Sequence, residues 1–503
     1  MNNKQILLTI VTLLLSLLFF LPSLNANENI PVPLEHWSYP IIEYFSTQGI
    51  LNINLETKPI TREQVIRSLS DIKNEYKRGT LDIDRIEDKL LSSLYEEYTP
   101  LLKNEFRNTP KTLYSNSITE IKESTGIGTD LAINGEESKY RAKFNTYLWG
   151  NVGKYITFAE QIKISRKKNP ASKDTLGTRA WKDFRGTTPI AMFNLSFPHM
   201  EINAGRTPNW LGPGRNGTLL LSDNYPYFDH INSTIKIGKV NLSSFFTVIN
   251  VDSTKYLSGH RIEIKDILGI TVGFSEFVLY SGRIEPGYLN PLLIIYGEQY
   301  NRGDRDNIFW YFDFSANLPG KNLLYGEFLI DDFQYESTPP APNKIAYTLG
   351  LHTTEPFNIP RLDLLFEYTR ITNWVYTHKF SENTYSNYGV CLGHQLGPDG
   401  DIFNITLTQY IRWNIIPKLH FSYSRKGEGR IYESWEKGME PHPPFPSGIV
   451  KSILSFDISL FIKPSRFLEI EPGWKTYKIE NVHNVLDWKK QNNEFFLNLY
   501  ITF

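Results

Sequence analysis

The chain has one cysteine, Cys391, which excludes an intramolecular disulfide and any cysteine metal cluster. It has no excess charge of either sign. Lys and Arg total 53 against 54 Asp and Glu, a net charge of -1, so nothing in the overall charge calls for nucleic acid as a partner. Beyond the N-terminal apolar run, no segment reaches the roughly 18 apolar residues of a membrane-crossing helix. The ten histidines are scattered, and no Gly-x-Ser-x-Gly elbow occurs. The adjacent carboxylates Asp331 and Asp332 fall on a strand pattern, where neighbours point to opposite faces. They cannot share a substrate atom as a glycosidase pair does. The sequence therefore offers no catalytic constellation, metal site or cofactor fingerprint, and it reads as a non-enzyme.

Aromatic residues are abundant, at 14%. A membrane β-barrel uses them in girdles at both interfaces, because the rings are apolar with a polar edge. An aromatic-rich soluble β-protein has the same composition, so further features must decide. Residues 1–26 read as a secretory signal peptide: Lys4 supplies the positive charge, Ile6 to Leu21 the apolar run, and Pro22 and Ser23 the break, with cleavage expected after Ala26. No cysteine follows to carry a lipid anchor.

Residues 30–105 carry a helical period. Trp37, Ile41, Tyr44 and Phe45 share one face of a helix over 36–48, which Gly49 ends. Thr61 and Gln64 form a capping box before Val65, Leu69 and Ile72. Ile83, Ile86, Leu90, Leu94 and Tyr98 line a third helix, over 82–98. This unit carries nothing that suggests chemistry. The stretches LEHWSYPIIEYFSTQGIL and KPITREQVIRSL resemble an S-layer-homology repeat, which implies binding to cell-wall polymer. A helical plug on a barrel is the alternative reading.

From residue 112 to 503 the period is two. Tyr140, Ala142, Phe144, Thr146 and Leu148 alternate with Arg141, Lys143, Asn145, Tyr147 and Trp149. Leu454, Phe456, Ile458 and Leu460 alternate with Ser455, Asp457, Ser459 and Phe461. One face suits lipid and the other a polar lumen. The strands run about nine to twelve residues, the length a tilted membrane strand needs, against about five or six in soluble sandwiches. Pro319-Gly320 makes a tight hairpin, while 336–343 and 426–448 are long and polar. Short turns on one side and long loops on the other predict a closed transmembrane antiparallel β-barrel, of roughly sixteen to twenty strands. The chain ends NEFFLNLYITF. Phe495, Leu497, Leu499, Ile501 and Phe503 share one face, and the terminal aromatic residue resembles the signal read by the barrel-insertion machinery.

Gly205 to Asn224 reads GRTPNWLGPGRNGTLLLSDN: a strand end, a Gly/Pro-rich turn that most residues could not adopt, and a short apolar stretch. It gathers Trp210, Arg215, Asp223 and Asn224 around a folded backbone. An Arg215–Asp223 pair is expected inside the barrel, because lipid would not tolerate it outside.

This stretch resembles the Wzi-type capsule-assembly family of outer-membrane proteins, which carries a Gly-Arg strand, a Trp-Gly-Pro-Gly-Arg type turn and a Leu-Leu-Ser-Asp-Asn ending. Leu211 between Trp210 and Gly212 is a departure from that pattern. LGHQLGPDGDIF (Leu392 to Phe403) and TRAWKDFRG (Thr178 to Gly186) are further matches. The resemblance implies a barrel of about eighteen strands plugged by N-terminal helices, which holds or organises capsular or extracellular polysaccharide as a non-catalytic lectin. Outer-membrane lipid and the insertion machinery are the other implied partners, with peptidoglycan or another wall polymer a further candidate. Saccharide recognition needs flat rings and polar neighbours, and the loop residues Trp374, Tyr376, Tyr432 and Trp435 have that character. The competing reading is a diffusion porin or uptake channel with a wall-binding N-terminal repeat. The two differ in whether the lumen is open.

Overall fold

The computed structural model describes residues 28–99, 111–115, 119–134, 137–167, 180–250, 254–303, 305–334, 341–465 and 467–502. The expected signal peptide, Thr178 and the terminal Phe503 lie outside the described residues.

Eighteen antiparallel strands close into a barrel. In chain order they are β1 (Thr119–Asn134), β2 (Glu137–Val152), β3 (Ile156–Lys167), β4 (Phe184–Phe197), β5 (Met200–Arg206), β6 (Asp229–Ile237), β7 (Val240–Asn250), β8 (Lys255–Ile267) and β9 (Ile270–Ser281). The second half comprises β10 (Asn307–Leu318), β11 (Asn322–Asp332), β12 (Lys344–Thr354), β13 (Leu362–Ile371), β14 (Gly400–Gln409), β15 (Ile415–Lys426), β16 (Lys451–Ser465), β17 (Leu468–Glu480) and β18 (Lys490–Thr502). The seam joins β18 to β1, from Phe495 opposite Ile133 to Thr502 opposite Gly126. Closure removes every edge, so the ladder satisfies the backbone within lipid.

The period-two pattern sorts the two faces. Leu454, Phe456 and Ile458 of β16 are exposed on the outside, as are Phe495 and Ile501 of β18. Between the β16 residues, Asp457 turns inward and meets Lys475 of β17 at 3.1 Å. At one end of the barrel no connection is longer than 355–361, and the 319–321 hairpin is among these short turns. The other end carries 207–228, 282–306, 372–399 and 427–450. The chain enters β1 and leaves β18 at the short-turn end, as an even strand number requires.

The N-terminal unit contains α1 (Ser38–Thr47), α2 (Arg62–Asp71), α3 (Lys73–Arg78) and α4 (Arg85–Tyr98). The expected second helix is thus two, parted at Ile72. The Thr61/Gln64 capping box is present, and Asp84 with Glu87 forms another before α4. Ile42, Phe45, Leu69, Leu90 and Leu94 make the unit's own core. Part of its polar surface meets the barrel wall at the short-turn end. Thr47 Oγ1 bonds His352 on β12 at 2.9 Å, and Asn54 donates to Glu263 on β8 at 2.9 Å. Tyr147 of β2 donates to the Pro31 carbonyl at 2.6 Å. Tyr44 packs on Tyr410, with ring centroids 4.7 Å apart.

Candidate functional site

The long 207–228 connection does not stay outside. It turns into the lumen and meets the helical unit there. Trp210–Leu211 pairs antiparallel with Thr57–Lys58, and the Gly212 N–H donates to the Glu56 carbonyl at 2.7 Å. Two wall carboxylates then grip the following turn. Glu327 of β11 accepts the N–H groups of Gly214 and Leu219, both at 2.7 Å. Glu367 of β13 accepts those of Arg215 at 2.6 Å and Asn216 at 3.0 Å, and also the Tyr325 hydroxyl at 2.7 Å. These hydrogen bonds replace the water that the N–H groups would otherwise need.

The glycines in this turn have a steric reason. Gly212 has φ +131°, and a Cβ there would meet the Tyr311 hydroxyl and the Glu327 carboxylate. Gly217 has φ +138°, and its Cβ would stand 2.6 Å from the His394 ring. That His394 comes from another infolded connection, 372–399. Burial pushes its imidazole down to about 4, so it is neutral at physiological pH.

Leu219, Leu220 and Leu221 lie in one apolar cluster with Tyr376, Tyr385 and Leu392 of that second connection. The tyrosines have polar ends that need partners. Tyr376 donates to the Leu219 carbonyl at 2.6 Å and Tyr385 to the Leu220 carbonyl at 2.9 Å. The Ser222 N–H reaches the Leu392 carbonyl at 3.0 Å. Three segments thus interlock across the lumen: the helical unit, 207–228 and 372–399.

Several expected residues take different roles. Arg215 is buried, but its acidic partner is Glu43 of α1, at 3.7 Å, not Asp223. Its guanidinium also sits over the Tyr325 ring, 5.2 Å from the centroid. The turn carries Arg215 toward the helical unit, while Asp223 and Asn224 are half-buried further along, beyond Leu221. Glu43 also holds Lys58 at 2.5 Å. Burial raises the Glu43 pKa, but the charges of Lys58 and Arg215 outweigh that and hold it at about 2. Trp210 bonds the Gly214 carbonyl through Nε1 at 3.1 Å and braces the turn.

Tyr376 is no surface ligand: it is fully buried, because its loop folds into the lumen. Trp374 is half-buried where that loop begins. Tyr432 is exposed and donates to the Gly389 carbonyl at 2.9 Å. Trp435 is half-buried, and its Nε1 lies 3.3 Å from the Met439 carbonyl. The structure does not gather these three into one cleft with the buried turn. Sequence reasoning missed Glu327, Glu367 and Glu43. The polar face of the strand holding Glu367 was readable, but nothing local showed what would meet it.

The sequence profile of the capsule assembly protein Wzi family matches residues 114–492. The chain belongs to the Wzi capsule assembly family. Among solved structures, it is similar to Escherichia coli Wzi, described as an outer-membrane protein involved in group 1 capsule assembly and a carbohydrate-binding β-barrel. Identity to it is 14%, with 91% of this chain and 96% of that one covered, at a TM-score of 0.61. Pseudomonas aeruginosa OccD3 (OpdP) aligns at 11% identity over 76% of this chain and 91% of that one, with a TM-score of 0.45. Acinetobacter baumannii OccAB1 aligns at 9% identity over 76% and 96%, with a TM-score of 0.43. No curated protein sequence matches. This Wzi-family barrel sits in the bacterial outer membrane.

Proposed function

We propose that this Wzi-family protein binds and organises capsular or extracellular polysaccharide at the cell surface without chemistry, as a lectin. The observation that carries the reading is the interlocked lumen. A diffusion porin needs a through-path, whereas Glu327 and Glu367 pin an infolded turn across this barrel and Glu43 ties that turn to the N-terminal helices. Family membership and the carbohydrate-binding description of E. coli Wzi support the same conclusion.

In this reading the long-loop end faces outward, and Trp374, Tyr432 and Trp435 meet the glycan. The helical unit closes the periplasmic mouth, from which a wall polymer could be reached. Outer-membrane lipid surrounds the apolar girdle, and the insertion machinery reads the last strand. The experiment is deletion of the gene, with surface polysaccharide retained per cell as the measurement. Loss of retained polysaccharide at unchanged synthesis supports the lectin reading. Full retention refutes it, as does depolymerisation of the glycan by the purified protein. Large steady conductance of the intact protein in a planar bilayer favours a channel instead.

A further inference from the structure

The interlocked segments fill only part of the lumen. On their side, inward groups such as Ser275, Asp313, Thr348 and Thr369 are buried. From β15 round through the seam to β3, inward groups against the helical unit such as Tyr147, Trp149 and Gln161 are buried, whereas several further along the strands are part-exposed. The side chain of Lys143 is 40% exposed, that of Lys475 41%, and that of Glu35, which lies on the floor, 54%. The floor is the chain leading into α1: Glu28 meets Lys122 at 3.6 Å, Glu35 meets Lys163 at 2.5 Å, and Trp37 lies under Lys463. These contacts put a floor under the crevice at the short-turn end.

Its wall has the chemistry of a saccharide site. Several of its charges are paired, Lys143 with Asp130 at 2.5 Å and Lys475 with Asp457 at 3.1 Å. Amides and hydroxyls lie between them. Asn145 reaches the Tyr500 hydroxyl at 3.0 Å, Asn498 reaches Glu471 at 3.0 Å, and Asn492 reaches the Tyr477 hydroxyl at 2.6 Å.

Two aromatic rings lie flat on this wall, each over glycine. Tyr500 stands opposite Gly128, where a Cβ would come within 2.7 Å of the ring, and it also covers Gly126. Phe496 stands opposite Gly473, and a Cβ there would run into its ring. Without those methyls, each ring lies against the backbone and turns its other face to the lumen. Both remain part-exposed. The two share one face of β18, roughly 13 Å apart at about 3.3 Å per residue, the span of a few linked sugar rings. A pyranose presents an apolar C–H face to such a ring and hydroxyls around its edge to amides and carboxylates.

We propose that this half-lumen is a blind saccharide-binding groove, entered from the long-loop end, in which a chain of pyranose units stacks on Phe496 and Tyr500. The proposal rests on the polysaccharide-holding reading above and places part of that binding inside the barrel.

The test uses full-length protein in detergent and polysaccharide sheared from the surface of the producing cells, labelled for fluorescence polarisation. Phe496→Leu and Tyr500→Leu keep apolar bulk but remove the flat face. Each should weaken binding about tenfold or more, the order expected from losing one packed aromatic contact. Tyr500→Phe keeps the ring and should bind nearly as the parent does. Gly473→Ala retains both rings but lifts Phe496 off the wall, and it should weaken binding like Phe496→Leu. If the leucine variants do not fold, Gly473→Ala and Tyr500→Phe carry the comparison. Parent-like binding by the leucine and alanine variants, with loop substitutions still weakening it, overturns the groove and leaves the lectin reading standing. Absence of binding by the parent overturns both.

Discussion

Glu327 on β11 accepts the backbone N–H of Gly214 at 2.7 Å, although 113 residues separate them in the chain. The contact holds a surface connection in the middle of a membrane barrel. Glu327 takes the Leu219 N–H through its other oxygen, so one side chain satisfies both ends of the turn. Replacing it with Ala strands two buried donors, at about 1–3 kcal/mol each. Glu327→Ala should therefore lower the temperature at which the folded band converts on heat-modifiability gels. It should also raise ion conductance in planar bilayers. An unchanged transition with unchanged conductance contradicts the bracing role.

Glu43 should act as a tie between the helical unit and the infolded turn, with a defined pH range. Its folded pKa of about 2 lies below the ordinary 4.5. A depressed carboxylate contributes stability above its unfolded pKa and loses it as pH falls through the folded value. Conductance should therefore stay low from pH 8 to 5 and rise only as pH falls from about 4.5 toward 2. Glu43→Gln should show the raised conductance already at pH 7. The same pH curve for parent and variant would remove Glu43 from this role.

Tyr376 and Trp435 should separate folding from glycan retention. Tyr376 is fully buried and bonds the Leu219 carbonyl. Its replacement by Ala should destabilise the barrel by about 3–5 kcal/mol, as for other buried aromatics. Trp435 is only half-buried on the 427–450 loop, and Trp435→Ala should leave the heat-modified band unchanged while less polysaccharide is retained per cell. Equal loss of folded protein in both variants would defeat the distinction.

Phe503 should matter for assembly rather than for the folded state. The last strand directs Phe495 and Ile501 outward, and Phe503 continues that series in the sequence. Phe503→Asp should reduce the amount of folded barrel in the outer membrane. Folded protein at parental abundance would show that the terminal ring is not read during insertion.

The period-two alternation by itself determined the barrel. Leu454, Phe456 and Ile458 need no distant partner to declare a lipid face, because alternate side chains of any strand point the same way. The same local logic placed the Thr61/Gln64 cap and the 319–321 hairpin. The Gly/Pro pattern at 205–224 marked an unusual turn, yet its contacts belonged to the tertiary structure. Arg215 was expected to find Asp223, eight residues away, and instead found Glu43 of α1. Tyr376 looked like a loop aromatic until the folding of 372–399 buried it. Glu327, Glu367 and the rings of Phe496 and Tyr500 acquire their roles only from residues brought opposite them. Sequence periodicity fixes which way a side chain points relative to its own strand. What it meets across the lumen depends on how the connections fold inward, which no local pattern encodes.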